Sequence, residues 1–141
     1  MAENKTHVTA VDPATYLAAL TPARRASEGQ ALLELFTRAT GVPGRMWGPS
    51  MVGFGELRYR YASGREGVSM RVGFAARSTG PVLYGLREHT HSAALLARLG
   101  PHRESAGCVY LRRLGDCDLD VLSELCARSF AARTEFEIDP G

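Results

Sequence analysis

Two neighbouring segments of the chain alternate between large apolar or aromatic residues and polar or small residues. Residues 57–61 read Leu-Arg-Tyr-Arg-Tyr, and residues 68–74 read Val-Ser-Met-Arg-Val-Gly-Phe. The segment between them, Ala-Ser-Gly-Arg-Glu-Gly at 62–67, is typical of a turn. The pattern therefore predicts two half-buried strands that are joined as an antiparallel hairpin.

Two helix-start signals precede this hairpin. An Asp-Pro step at 12–13 and a Thr-Pro step at 21–22 each place a capping side chain before a proline, which suits the first helical position. The two helices are expected to end near residues 20 and 39. Residues 41–50, dense in glycine and proline, are predicted to form a loop before the first strand.

The second half of the chain is predicted to contain two more strands and two more helices. The strands are expected at 81–86 and 107–114, and the helices at 91–99 and from a cap at Asp116 or Asp118 to about Ala132. The resulting order is αα-βββ-α-β-α. Because sequential strands joined by a tight turn pair antiparallel, the order predicts a two-layer α+β domain with a mainly antiparallel sheet of about four strands.

A chain of 141 residues has the size of one domain. The domain is predicted over residues 11–132, between a flexible N-terminal arm at 1–10 and an acidic C-terminal tail at 133–141. The net charge of +2 comes from 17 basic and 15 acidic side chains, and so small a basic excess makes a nucleic-acid partner an unfavoured prediction. No segment approaches the roughly 18 apolar residues that span a membrane. Three cysteines and no signal-peptide pattern predict a reduced, cytoplasmic protein.

Six short segments follow one another in a recognisable order and spacing. They are Trp47–Gly55, Tyr59–Gly67, Val72–Arg77, Leu95–Gly100, Gly107–Leu114 and Asp116–Leu122. In these segments, and most specifically in the Met-Val-Gly-Phe-Gly and Cys-Val-Tyr-Leu runs, the chain resembles the YdhG-like domain family from about Tyr16 to Ser129. This is a bacterial domain family without an established reaction. The resemblance implies a compact α/β single domain in the bacterial cytoplasm.

Some YdhG-like relatives are described as frataxin-like iron chaperones, so the resemblance implies iron binding as an alternative function. Hard carboxylate oxygens would hold the iron. The chain offers four carboxylates near the start of the last helix, namely Asp116, Asp118, Asp120 and Glu124. The other interpretation is that these acids cap the helix and complement its dipole. Outside the iron alternative, no cofactor is expected.

The segment at 47–61 is the strongest candidate for a binding site. Its candidate ligand-binding residues are Trp47, Met51, Gly53, Phe54, Tyr59 and Tyr61. Aromatic side chains beside glycines can form the wall of a small-molecule pocket, because the glycines leave room next to the backbone. The alternative is that the aromatic side chains belong to the core and that the glycines mark a β-bulge.

The polar face of the predicted sheet is a second candidate site. It would carry four arginines, Arg58, Arg60, Arg71 and Arg112, beside Tyr110. Arginine forks pair with phosphate and carboxylate groups, so this face is a candidate for binding an anion or an acidic partner. A solvated sheet face has the same sequence pattern.

Catalysis has little support in the sequence. The chain contains no GxSxG, Walker-type, HExxH or GxGxxG motif. Cys117, at the expected start of the last helix, is the one cysteine whose pKa the helix dipole is expected to lower. The sequence favours a non-enzymatic binding module for a small ligand or a protein partner over an enzyme. A homodimer is compatible with it, because edge strands and exposed aromatic side chains pair between copies.

Overall fold

The computed structural model describes residues 8–87, 89–132 and 137. Within them the α-helices are Pro13–Ala18 (α1), Ala23–Thr40 (α2), Ser92–Leu99 (α3) and Leu119–Ala131 (α4). The β-strands are Arg45–Trp47 (β1), Met51–Phe54 (β2), Leu57–Arg60 (β3), Glu66–Ser69 (β4), Val72–Arg77 (β5), Gly80–Tyr84 (β6), Arg103–Ser105 (β7) and Cys108–Tyr110 (β8). A 3-10 turn, Leu114–Asp116, precedes α4.

The described strands form two antiparallel sheets. The larger sheet has six strands in the order β1-β2-β5-β6-β8-β7, and β3 pairs with β4 in a separate two-stranded sheet. The predicted α+β class is confirmed, whereas the prediction of about four strands is wrong. The expected loop at 41–50 contains β1 and leads into β2, and β7 was also missed. Each of these strands has only three or four residues, which is too short to show a clear period of two.

The predicted hairpin is longer than expected and is interrupted once. The strand expected at 68–74 is broken between β4 and β5. Phe54 pairs with Val72 on one side of the break, and Leu57 pairs with Ser69 on the other, so the register is the same on both sides. Gly55 lies at the break with φ 72°, a left-handed conformation that glycine adopts without strain. The two ribbons are therefore one hairpin with an interruption at Gly55.

One face of the larger sheet forms the core with the helices. Helix α2 contacts β2, β5 and β6, α1 and α4 pack against α2, and α3 packs against α4. Rings from α2, β2 and β5 meet at the centre. Phe36 lies 5.5 Å from Phe54 and 5.3 Å from Phe74, measured between ring centroids. Burying such aromatic side chains supplies much of the stabilisation of a domain of this size.

Two helix starts follow the capping signals in the sequence. The Asp12 side chain accepts a hydrogen bond of 3.0 Å from the Thr15 amide at the start of α1. At α4 the cap is Asp118, whose carboxylate accepts from the amides of Asp120 and Val121. Of the two predicted caps for α4, Asp118 is therefore the one that acts.

Both predicted terminal segments contribute residues to sheet pairing. Val8 forms an antiparallel bridge with Trp47, and the Thr9 amide donates to the Met46 carbonyl at 2.9 Å. Near the other terminus Glu137 forms an antiparallel bridge with Tyr59. The rest of the predicted arm at 1–7, and the tail residues 133–136 and 138–141, lie outside the described residues.

Candidate functional site

The larger sheet has a second face on the side away from the helices, which we call the open face, and its central residues Ala75 and Val82 are buried. Cross-strand pairing places Trp47 beside Met51, Met51 beside Ala75, and Ala75 beside Val82. The row continues from Val82 to Tyr110 on β8 and then to Arg103 on β7. Because successive strand residues point to opposite faces, the alternate residues of these strands make up the core.

A cleft of about 370 Å³ lies at the β1 edge of the open face, and we call it the Trp47 cleft. Its lining residues are Val8, Val42, Pro43, Arg45, Trp47, Gly53, Gly55 and Glu56. The volume is in the range of about 300–1,000 Å³ that small-molecule sites occupy. The lining combines an apolar wall with one cationic and one anionic side chain.

Gly53 allows the Trp47 ring to lie against the sheet. A Cβ atom at position 53 would be 2.5 Å from Trp47 Cδ1 and 2.7 Å from both Trp47 Nε1 and Met70 Cβ. Real side chains do not approach so closely, so any other residue here would displace the indole ring. Trp47 itself is only 4% exposed, so it forms part of the wall of the cleft rather than projecting into solvent.

The six predicted ligand-binding residues fall into three different places. Trp47 and Gly53 line the Trp47 cleft, and Met51 is the cross-strand neighbour of Trp47 on the same face. Phe54 is fully buried in the core.

The two tyrosines lie outside the larger sheet. Tyr59 is on β3, and Tyr61 follows it, with the two ring centroids 5.0 Å apart. Neither lines the Trp47 cleft. Tyr61 is 43% exposed, which places it on the surface of the hairpin. The structure therefore brings together two of the six residues as cleft walls.

The four predicted anion-binding arginines are not gathered on one face. Arg58 and Arg60 are exposed on β3, where Arg60 pairs with Glu66 at 3.3 Å. Arg71, between β4 and β5, donates to the Ala132 carbonyl at 3.1 Å and to the Glu137 carboxylate. Arg112 comes two residues after β8, which belongs to the six-stranded sheet and not to the β3–β4 ribbon.

The four predicted metal-binding carboxylates have separate roles. Asp118 caps α4, and Glu124 pairs with Arg128 at 3.0 Å one turn later. Asp116 is in the 3-10 turn, and Asp120 is in the first turn of α4. Among the described residues, no three His, Cys, Asp or Glu side chains come together as a metal site. The geometry of these carboxylates therefore gives the iron alternative no support.

The cysteines differ from the prediction at one position. Cys117 immediately precedes the cap of α4, yet burial raises the pKa of its thiol, and the nearby charges of Asp116 and Glu28 raise it further. The predicted lowering of this pKa is therefore wrong. Burial also raises the pKa of Cys126 to about 12, in keeping with its place in the core.

One histidine is tied to the last helix. His91 Nε2 lies 3.2 Å from the hydroxyl of buried Ser129, and its ring stacks on His89 with 5.4 Å between centroids. Burial, followed by the nearby charges of His89 and Arg128, lowers the pKa of His91. This arrangement favours a neutral ring that packs between α3 and α4.

Sequence reasoning missed the charged pair of the Trp47 cleft, Arg45 and Glu56. Arg45 gave no alternating signal, because Arg45-Met46-Trp47 places two large apolar residues side by side. The segment is three residues long, so glycine and proline on both sides obscured it. Glu56 follows the left-handed Gly55 and lines the cleft beside Trp47, and this proximity depends on how β1 and β2 pair rather than on the residues next to Glu56.

Comparison with protein-family models, curated proteins and solved structures gives no match. The resemblance to the YdhG-like domain family therefore stays a prediction from the motifs quoted above. In the described part of the chain, no helix combines the length and the apolar character needed to cross a bilayer.

Proposed function

We propose that this protein is a non-enzymatic binding domain that takes a small ligand in the Trp47 cleft. The observation that carries the proposal is the cleft itself, an indole wall beside glycines with opposite charges at Arg45 and Glu56. Such a lining suits a molecule with an apolar or planar body and a polar end. A volume of about 370 Å³ favours a small ligand over the broad contact surface that a protein partner needs.

The glycines are the second support for this proposal. A buried glycine in a strand costs stability, because it loses more backbone entropy on folding than other residues and has no side chain to pack. Gly53 leaves the space in which the Trp47 indole lies against the sheet. Gly55 precedes Glu56, and both residues line the cleft. A binding site accounts for both features at once.

The test uses the single tryptophan as a reporter within the site. The neutral fluorophore N-phenylnaphthylamine is titrated into the protein while energy transfer from Trp47 is recorded. We expect saturable binding with one probe per chain. In the Glu56→Tyr variant the added ring fills the cleft from an exposed position, so affinity should fall by about tenfold or more.

The matched control is Glu34→Tyr, on the exposed face of α2. It adds the same side chain away from the cleft and should bind the probe as the wild type does. Circular dichroism melting curves establish that both variants are folded. An unchanged affinity in Glu56→Tyr, or the absence of saturable binding in the wild type, would remove the Trp47 cleft as a ligand site.

A further inference from the structure

Three arginines that the sequence separates meet at one end of the larger sheet. Arg77 ends β5, Arg103 begins β7, and Arg112 comes shortly after β8. Antiparallel pairing places the end of β5 beside the start of β6, and the end of β8 beside both the start of β6 and the start of β7. Strand ends that alternate in direction therefore bring these three side chains to the same end of the sheet.

The three arginines line one groove of about 380 Å³, which we call the arginine groove. Its lining residues are Arg77, Thr79, Gly80, Pro81, Val82, Pro101, His102, Arg103, Tyr110, Leu111 and Arg112. Gly80 permits the close approach that shapes the groove. Its φ is 134°, and a Cβ atom there would lie 2.0 Å from the Leu111 carbonyl oxygen. The backbone after β8 therefore closes against β6 and carries Arg112 into the groove.

The positive charge of the arginine groove has no partner in the described part of the chain. None of the ion pairs found there involves Arg77, Arg103 or Arg112. The described lining residues also include no aspartate or glutamate. Each of the three arginines is exposed, so a bound anion can reach its guanidinium group.

The nearest carboxylate along β7 is already engaged. Glu104 pairs across the sheet with Val109, so it points to the face opposite that of Arg103. Its two oxygens lie 3.0 Å from Arg87 Nε and 2.8 Å from His102 Nε2. The hydrogen bond from His102, and then Arg87, lowers the pKa of this carboxyl group. Glu104 therefore remains ionised with its own partners.

Aromatic side chains orient two of the arginines. The Arg103 guanidinium lies 4.8 Å from the centroid of the Tyr110 ring, within cation–π distance. Arg77 Nη2 lies 3.4 Å from the Tyr84 hydroxyl. A guanidinium that is held in place loses less side-chain entropy when it binds, and its planar fork matches phosphate oxygens. Of the apolar lining residues, exposed Pro101 and the half-buried Tyr110 ring provide a surface for an organic group beside the phosphate.

We propose that the arginine groove binds a phosphorylated small molecule, with Arg77, Arg103 and Arg112 on the phosphate and the side formed by Pro101 and Tyr110 in contact with the organic part. This site is separate from the Trp47 cleft. The two sites share no lining residue, because the arginine groove is formed around β5, β6, β7 and β8 and the Trp47 cleft around β1 and β2. Failure of the proposal for the Trp47 cleft would leave this one unaffected.

The test is isothermal titration of the full chain with inorganic phosphate, ADP and adenosine. We expect saturable binding of ADP that weakens as salt is added, weaker binding of phosphate, and the weakest binding of adenosine. Equal affinity for ADP and phosphate would identify a plain anion site and overturn the assignment of an organic group. The absence of saturation by either at about 1 mM would overturn the whole proposal.

The decisive variants are Arg112→Gln and its neighbour Arg113→Gln. Both side chains are exposed, but only Arg112 lines the groove. Loss of one charged hydrogen bond should weaken ADP binding by about tenfold or more in Arg112→Gln, and Arg113→Gln should bind as the wild type does. Arg103→Gln should also weaken ADP binding, because Arg103 reaches the same groove from another strand. Equal effects at 112 and 113 would overturn the proposal, as would tighter binding of a single-stranded oligonucleotide than of ADP.

Discussion

At the scale of single residues, the thiol of Cys117 is the clearest case in which position and environment oppose each other. The start of a helix lowers a thiol pKa, but burial and two nearby carboxylates raise it here. Because the thiolate is the reactive form, we expect Cys117 to react with a thiol reagent more slowly in the native protein than in denaturant. The labelling rate should also begin to rise at a higher pH than it does for an ordinary thiol.

The matched variants for Cys117 are Asp116→Asn and Asp120→Asn, in a background where Cys108 and Cys126 are replaced by serine or alanine. Asp116 is one of the two charges that raise this pKa, so its neutralisation should speed the labelling. Asp120 is not among those charges and should leave the rate unchanged. Native labelling as fast as that of the denatured chain would contradict the effect of burial.

At the scale of elements, features that depend on local sequence could be predicted, and features that depend on contacts between distant residues could not. Asp12 and Asp118 marked helix starts because a cap needs only its own next few residues. The pairing of 57–61 with the segment after 67 as a hairpin followed from alternation and a turn for the same reason. The alternation of 68–74 continues across the break opposite Gly55, and the prediction therefore joined two strands that the structure separates.

The candidate sites also show that residues close in sequence can be predicted as neighbours, whereas residues on distant strands cannot. Trp47 and Gly53 could be predicted as neighbours because they are close in sequence and combine a large aromatic side chain with a glycine, which is unusual in a strand. The arginine groove was missed, although Arg112 had been singled out as an anion ligand. Its companions Arg77 and Arg103 come from strands that become neighbours only when the order β5-β6-β8-β7 forms. A single sequence does not state that order.

The contact between Gly53 and the Trp47 ring gives a prediction about the β1–β2 hairpin. In Gly53→Ala the added methyl group would overlap Trp47 Cδ1 and Met70 Cβ, so the indole must move outward. We expect the free energy of unfolding to fall by about 1–3 kcal/mol, the usual cost of overpacking. Trp47 emission should also shift to longer wavelength, because the ring gains exposure to water.

The control for Gly53→Ala is Gly115→Ala in the 3-10 turn. A Cβ atom at Gly115 meets no atom within 4 Å, and its φ is not positive. The same substitution there should leave stability unchanged or raise it slightly, because alanine restricts the unfolded chain. Denaturant unfolding followed by Trp47 fluorescence measures both variants. Equal stability of the two would contradict the close contact at Gly53.

At the scale of the whole molecule, Arg71 joins parts of the chain that are far apart in sequence. It lies between β4 and β5, donates to the Ala132 carbonyl at the end of α4, and pairs with the Glu137 carboxylate. Glu137 in turn bridges Tyr59 on β3. The Glu137 side chain is only 3% exposed, so its ion pair with Arg71 is largely shielded from water. One guanidinium therefore connects the hairpin, the last helix and the segment that follows it.

Removal of the Arg71 guanidinium should destabilise the whole domain. In Arg71→Gln the buried Glu137 carboxylate loses its pairing with the Arg71 guanidinium, and we expect the free energy of unfolding to fall by about 2–4 kcal/mol. Arg58→Gln, on the exposed side of β3, removes an equal charge and should stay within about 0.5 kcal/mol of the wild type. The double variant Arg71→Gln with Glu137→Gln should regain part of the loss, since it carries neither charge of the ion pair. Urea unfolding of the four proteins measures these differences. A double variant that is less stable than Arg71→Gln would contradict the prediction. It would show that the two side chains do not act as a pair, because the effects of coupled partners are not additive.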